Sequence, residues 1–171
     1  MTSLIKNVIV YDGSGQNAYP GYVAFDHDII TRTGHAAELP NEKNFDSVTD
    51  GGGLALTPGF IDAHGHSDIS LLAAPEGVSK LTQGITSEIS GNCGLSPFPI
   101  TDLNREHLQS LWQNYDVPIT WRSCSEYLQE VRKRQVKLNL FPLVGHNTLR
   151  AAVNGYKDAR LGVAQSLEMQ N

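Results

Sequence analysis

The sequence predicts an α/β protein in two parts, a β-rich segment over residues 1–55 followed by parallel βα units over residues 56–171. Three observations carry that reading. Short β-branched runs separated by turn clusters fill the first part, Gly51-Gly52-Gly53 marks a change of character, and beyond it buried runs alternate with helical patterns. Leu4 to Val10 is a strand pattern that ends at the turn cluster Tyr11-Asp12-Gly13-Ser14-Gly15. Gly21 to Phe25 breaks at Asp26-His27-Asp28 and resumes from Ile29 to Thr33 before Gly34, which predicts a hairpin. Ser47 to Thr49 adds a third short strand. Two or three such strands are marginal alone, so more must join them.

In the second part, Leu54 to Pro58 reads as a connection and Phe60 to Ala63 as a short buried strand. Residues 71–83 can hold one helix, with Gly84 as its stop. Ile85 to Ile89 is the next strand and leads into the Gly- and Pro-rich loop Ser90 to Pro99. Thr101 or Asp102 is expected to cap a helix, and Ser123 or Ser125 to begin another that runs to about Gln135. Leu138 to Val144 forms a third buried strand, ending at Gly145-His146-Asn147. Gly162 to Asn171 has helical propensity with no Gly or Pro stop after it. That predicts either a truncated chain or a terminal helix capped by Asn171. A compact three-strand α/β domain is the alternative architecture.

With 171 residues, 40% hydrophobic and 18% charged, the chain can bury one core. Lys and Arg number 13 against 18 Asp and Glu, a formal charge of −5, and the one basic run is Arg132-Lys133-Arg134, so nucleic acid is a poor partner. No window approaches the roughly 18 apolar residues of a membrane span, and the start lacks the order of a secretory signal. A soluble, cytoplasmic protein with no membrane partner is expected. Two cysteines, Cys93 and Cys124, are too few for a disulfide framework.

His64-Gly65-His66 falls where the first buried strand should end. Side chains alternate with period two, so His64 and His66 project to the same side, with Asp68 beside them if the extension continues. Two imidazoles separated by a glycine suit Zn²⁺ or a similar ion, although a His-x-His in a loop can equally be two hydrogen-bonded surface histidines. Position favours the metal, because function gathers at the carboxyl ends of strands in parallel βα architectures. Cys93 occupies the matching place one unit later, in Gly91-Asn92-Cys93-Gly94, where small and polar neighbours leave ligand, nucleophile and spectator open. As a thiolate it could complete a site with the two histidines. Cys124, on a helix, reads as packing.

Thr57-Pro58-Gly59-Phe60-Ile61-Asp62-Ala63-His64-Gly65-His66-Ser67-Asp68 resembles the first-strand metal motif of the amidohydrolase superfamily. Gln83 to Thr86 with Ser90 to Pro97, and Leu143 to Arg150, are similar to blocks of its D-aminoacylase branch. The resemblance runs from about residue 3 to the end. It implies a TIM-like (β/α) barrel carrying a small β-sandwich, and zinc-dependent hydrolysis of N-acyl-D-amino acids. It also implies His64 and His66 as strand-one ligands and Cys93 as the thiolate ligand. Asp68 would orient a ligand histidine, its other reading being a cap, and His146 would be a pocket-wall or hydrogen-bonding residue. Further histidines and the general-base aspartate would come from later strands, so no catalytic residue is expected here. His107, on a helix, does not match those positions.

A full barrel takes roughly 250 residues, and removing about 55 of the 171 leaves about 116, enough for three to four of eight βα units. The expectation is the amino-terminal part of a deacylase, inactive as this chain alone, with a small-molecule substrate in the intact enzyme and a separate carboxyl-terminal portion as possible partner. A dihydroorotase-like cyclic amidase and a non-enzymatic metal-binding or assembly fragment are the alternatives.

Overall fold

The computed structural model describes residues 1–170, so the proposed cap at Asn171 lies outside the described residues. The chain divides into two units, Met1–Pro58 and a second that begins at Gly59.

The first unit is one five-stranded sheet. Its strands are β1 (Thr2–Val10), β2 (Tyr19–Asp26), β3 (Ile29–His35), β4 (Ser47–Asp50) and β5 (Ala55–Leu56). The order is β3-β2-β1-β4, with β5 also on β1. β1, β2 and β3 form an antiparallel meander, while β4 and β5 run parallel to β1. The strands needed to complete the meander therefore come from the same unit, and part of the expected connection at Leu54 to Pro58 is β5. The β2–β3 turn uses His27 at φ 53° where a glycine or Asn would be usual.

β1 changes face midway. Asn7 has φ 53°, and the pairing with β2 skips between Ile5 and Val8. A plain strand would put Leu4, Val8 and Val10 on one face. The bulge shifts the alternation, so Leu4 joins Tyr22, Ala24 and Phe45, while Ile5, Val8 and Val10 gather with Val23, Tyr19 and Leu56. The Asn7 amide donates to Asp50 at 2.8 Å and its carbonyl accepts from the Gly53 N–H at 2.7 Å, which pins the bulge.

The second unit holds three parallel strands in chain order, β6 (Phe60–Asp62), β7 (Ile85–Ser90) and β8 (Asn139–Pro142). Between and after them lie α1 (Ser70–Ala73), α2 (Val78–Leu81), α3 (Arg105–Leu111), α4 (Cys124–Lys133), α5 (His146–Asn154) and α6 (Val163–Glu168). The single helix expected over 71–83 is instead α1 and α2. Pro75 lacks the N–H that would continue the ladder, and Gly77 turns left-handed at φ 54°, where a Cβ would strike Leu138. The C-cap of α2 is Thr82 and not Gly84, which at φ 79° closes the turn leading into β7. Neither Thr101 nor Asp102 is the N-cap of α3, which begins after Asn104. The Asn104 side chain accepts from the Thr101 N–H at 2.8 Å and donates to the Pro99 carbonyl at 3.0 Å, closing a turn before the helix. Ser123 caps α4 in a capping box with Glu126.

The core of this unit gathers Phe98, Leu108, Trp121 and Tyr127 with Ile69, Leu72 and Ile100. Its polar atoms are paired: the Trp121 indole N–H donates to the Pro97 carbonyl at 2.7 Å and the Tyr127 hydroxyl to the Asp68 carbonyl at 2.9 Å. On the sheet, Ile61 and Phe141 stay 66% and 59% exposed. No helix among the described residues is long and apolar enough to cross a membrane.

Candidate metal centre

β6 and β7 are neighbours, so the segments leaving their carboxyl ends run side by side. Ligand atoms of His64, His66 and Cys93 lie within 4.8 Å of one another, and all three residues are solvent-exposed. His64 Nε2 is 3.2 Å from Cys93 Sγ, and the two imidazole centroids are 5.5 Å apart, nearly edge to face. Tetrahedral zinc with bonds of about 2.0–2.3 Å holds its ligand atoms roughly 3.5 Å apart, so the donor types suit such an ion and the His64–Cys93 pair lies near that spacing.

The backbone around the site is tied at several points. Cys93 sits at φ 55° between Gly91 at φ 76° and Gly94 at φ 78°, three left-handed residues interrupted by Asn92, in a turn that places the thiol beside His64. A Cβ on Gly91 would collide with the Leu143 carbonyl, so this turn admits only glycine there. The Asn92 amide donates to the carbonyls of Gly65 and Ile89, at 3.2 and 2.9 Å, and the Gly65 N–H donates to Ile89 at 3.0 Å. Behind the loop, the Ser96 N–H donates to the Thr148 hydroxyl at 2.9 Å, which fastens it to the start of α5.

Beneath the histidine pair lies an ionic cluster that the sequence reading missed. Glu88 on β7 is fully buried, accepts the Ser67 N–H at 2.8 Å and lies 3.0 Å from Lys80 Nζ. Lys80 also donates to Asp62, whose other oxygen accepts the His64 N–H at 3.1 Å. Lys80 and the His64 N–H hold the Asp62 carboxyl below the usual range. Burial pulls the Lys80 ammonium down, but Asp62 and Glu88 outweigh it and leave it raised. The available signal was a carboxylate within each of two β-branched or apolar runs, Phe60 to Ala63 and Ile85 to Ile89.

The other sequence candidates are scattered. Asp68 is buried, but it makes no hydrogen bond to His64 or His66 among the described residues, and its Oδ1 is unpaired. Burial pushes its carboxyl above the usual range, with the Ser90 hydroxyl acting the other way. His146 is exposed at the first position of α5, where its side chain forms no hydrogen bond among the described residues. His107 lies on α3 and stacks on Tyr156 with centroids 3.8 Å apart. Cys124 is exposed at the start of α4 rather than packed in the core, because the capping turn presents the first helical residue to solvent.

No protein-family model matches the chain. An N-acyl-D-aspartate deacylase of Alcaligenes xylosoxydans xylosoxydans is 38% identical over 152 residues, covering 88% of this chain and 29% of that protein. An N-acyl-D-glutamate deacylase of the same organism is 32% identical over 151 residues, covering 87% of this chain and 29% of that protein. Among solved structures, D-aminoacylase, described as defining a subset of amidohydrolases, superposes with a TM-score of 0.82 at 28% identity, covering 98% of this chain and 34% of its own. The N-acyl-D-glutamate deacylase of Bordetella bronchiseptica, complexed with zinc and a phosphonate mimic of the tetrahedral intermediate, gives 0.81 at 27% identity, again with 98% and 34% covered.

The fold and the paired histidines thus meet in the amidohydrolase class. Within it, the chain belongs with the N-acyl-D-amino-acid deacylases and D-aminoacylase. It spans about a third of the length of these relatives, 29% to 34% of those named here.

Proposed function

We propose that this chain is the amino-terminal part of a zinc-dependent hydrolase of N-acyl-D-amino acids, and that it supplies His64, His66 and Cys93 to the metal. In this reading residues 1–55 belong to a β-sandwich and residues 56–171 supply the first three or so βα units of a TIM-like barrel. The observation that carries it is the convergence of two imidazoles and a thiol at adjacent strand ends, in a chain whose relatives are deacylases. Bound zinc would polarise an acyl carbonyl and lower the pKa of a water. The chain's own contribution is to fix the donors. His64 and His66 leave one strand end on the same side, and the left-handed Cys93 turn brings the thiol within 3.2 Å of His64.

No carboxylate stands in the described cluster to take a proton from water: Asp62 and Glu88 are committed to Lys80, and Asp68 is buried. Alone, the chain should therefore be inactive, and a carboxyl-terminal portion is its proposed partner. Among the described residues no strand pairs with the outer edge of β6 or β8, which favours assembly as the role of the free chain.

The test is zinc content of the purified chain, with Cys93→Ala and His66→Ala beside it, and an assay on N-acetyl-D-amino acids. Both variants should carry less zinc than the parent, and none of the three should turn over substrate. Unchanged zinc in Cys93→Ala would remove the thiol from the site. Turnover that follows the pure chain through a sizing column would overturn the claim of inactivity.

A further inference from the structure

The hydrogen bonds around the histidine pair have a pattern that metal ligation does not require. The backbone N–H groups of the first histidine and of the residue after the second are each accepted by a buried or half-buried carboxylate, Asp62 for His64 at 3.1 Å and Glu88 for Ser67 at 2.8 Å. One cation, Lys80, bridges the two carboxylates, and it is itself largely shielded from water. Between the two anchored N–H groups sits Gly65, where a Cβ would strike the Glu88 carboxylate. Glu88 thus occupies the space that a side chain at 65 would need.

We propose that Glu88 is a positioning residue for the metal centre. Its carboxylate, linked through Lys80 to Asp62, holds His64-Gly65-His66 at both ends and so sets the spacing of the two imidazoles before any ion arrives. This rests on the reading of His64, His66 and Cys93 as ligands. A fully buried carboxylate is costly unless it is paired, and here one oxygen accepts a backbone N–H of the ligand segment while the other, which accepts no hydrogen bond among the described residues, is balanced by the Lys80 ammonium 3.0 Å away. A core that only needed filling would be served by an apolar residue at 88. Glu88 is one shell removed from the metal, and loss of such supports typically weakens metal binding roughly ten- to a hundredfold.

The experiment uses Co²⁺ as the probe on the full chain, comparing the parent with Glu88→Gln, Glu88→Ala and Lys80→Met. Glu88→Gln keeps the shape and an acceptor for Ser67 but loses the charge facing Lys80, so it remains informative if the alanine variant fails to fold. Cobalt affinity should fall roughly tenfold or more in Glu88→Ala and less in Glu88→Gln. The thiolate-to-cobalt absorption of Cys93 should persist at saturation, while the shifted imidazole N–H resonances of His64 and His66 change. General loss of structure would weaken thiolate and imidazole signals together. Parent-like affinity and unchanged imidazole resonances in Glu88→Ala would overturn the proposal.

Amide hydrogen exchange of the metal-free chain supplies a measurement independent of the ion. His64 and Ser67 should exchange about tenfold faster in Glu88→Ala, with the β1–β2 amides unaffected. Should the parent show no thiolate absorption with cobalt, the proposed ligand set falls, and unchanged exchange at His64 and Ser67 would then overturn the bracing role separately.

Discussion

Cys93 is held in a conformation that suits its thiol and not its backbone. A left-handed residue with a Cβ costs about 1–2 kcal/mol, and Cys93, at φ 55° and exposed, has little packing to offset it. Glycine would adopt the same φ without penalty, at the cost of a more flexible unfolded chain of about 0.5–1 kcal/mol. Cys93→Gly should therefore raise the urea stability of the metal-free chain by about 0.5–1 kcal/mol while removing the thiol donor. A destabilised variant would show that the turn is set by contacts of the sulfur and not by backbone strain. His64, His66 and Cys93 were legible as a group because period-two alternation at a strand end and a glycine-flanked loop are both written locally. Glu88, Lys80 and Asp62 were not, since their meaning depends on which charges the βα unit brings face to face across 26 positions of chain, from 62 to 88.

At the level of elements, punctuation residues decided the outcome. Ser123 and Glu126 mark the start of α4 in sequence, and the structure shows both halves of the box, the Glu126 N–H to Ser123 Oγ at 3.3 Å and the Ser123 N–H to Glu126 Oε2 at 2.9 Å. Ser123→Ala should cost about 1 kcal/mol in a urea titration, and a loss under a few tenths would mean that Tyr127 packing alone sets this helix start. Tyr127, four positions after Ser123, is fully buried, so α4 is fixed at its first turn by both cap and core. The break between α1 and α2 was also in the sequence, at Pro75 and Gly77, but a helical pattern on both sides concealed it. β5 was hidden for a different reason. Two residues carry no periodicity, and Ala55 and Leu56 are recognisable as a strand only from their pairing with Ile9 and Val10.

On the scale of the whole molecule, the second unit's sheet lacks cover. Ile61, Phe141, Leu143 and Val144 are all at least half exposed, and among the described residues no strand pairs with the outer edge of β6 or β8. Apolar surface of this kind drives association, and a net charge of −5 opposes it weakly. Light scattering should show self-association of the free chain that diminishes in Phe141→Lys, while a polypeptide covering the remainder of the relatives' length should compete with it. A dye-negative monomer with a cooperative thermal transition would contradict the partial-barrel reading.

The strand order has one more consequence. β6, β7 and β8 advance in chain order, so every crossover steps the same way around, as right-handed connections require. A stave wall built in that sense grows at one end only. In the proposed barrel each further strand would be laid beyond β8, and the outer side of β6 would be met by the stave that closes the ring. His64 and His66 stand on the first stave, and they would share its seam with whatever the last one carries.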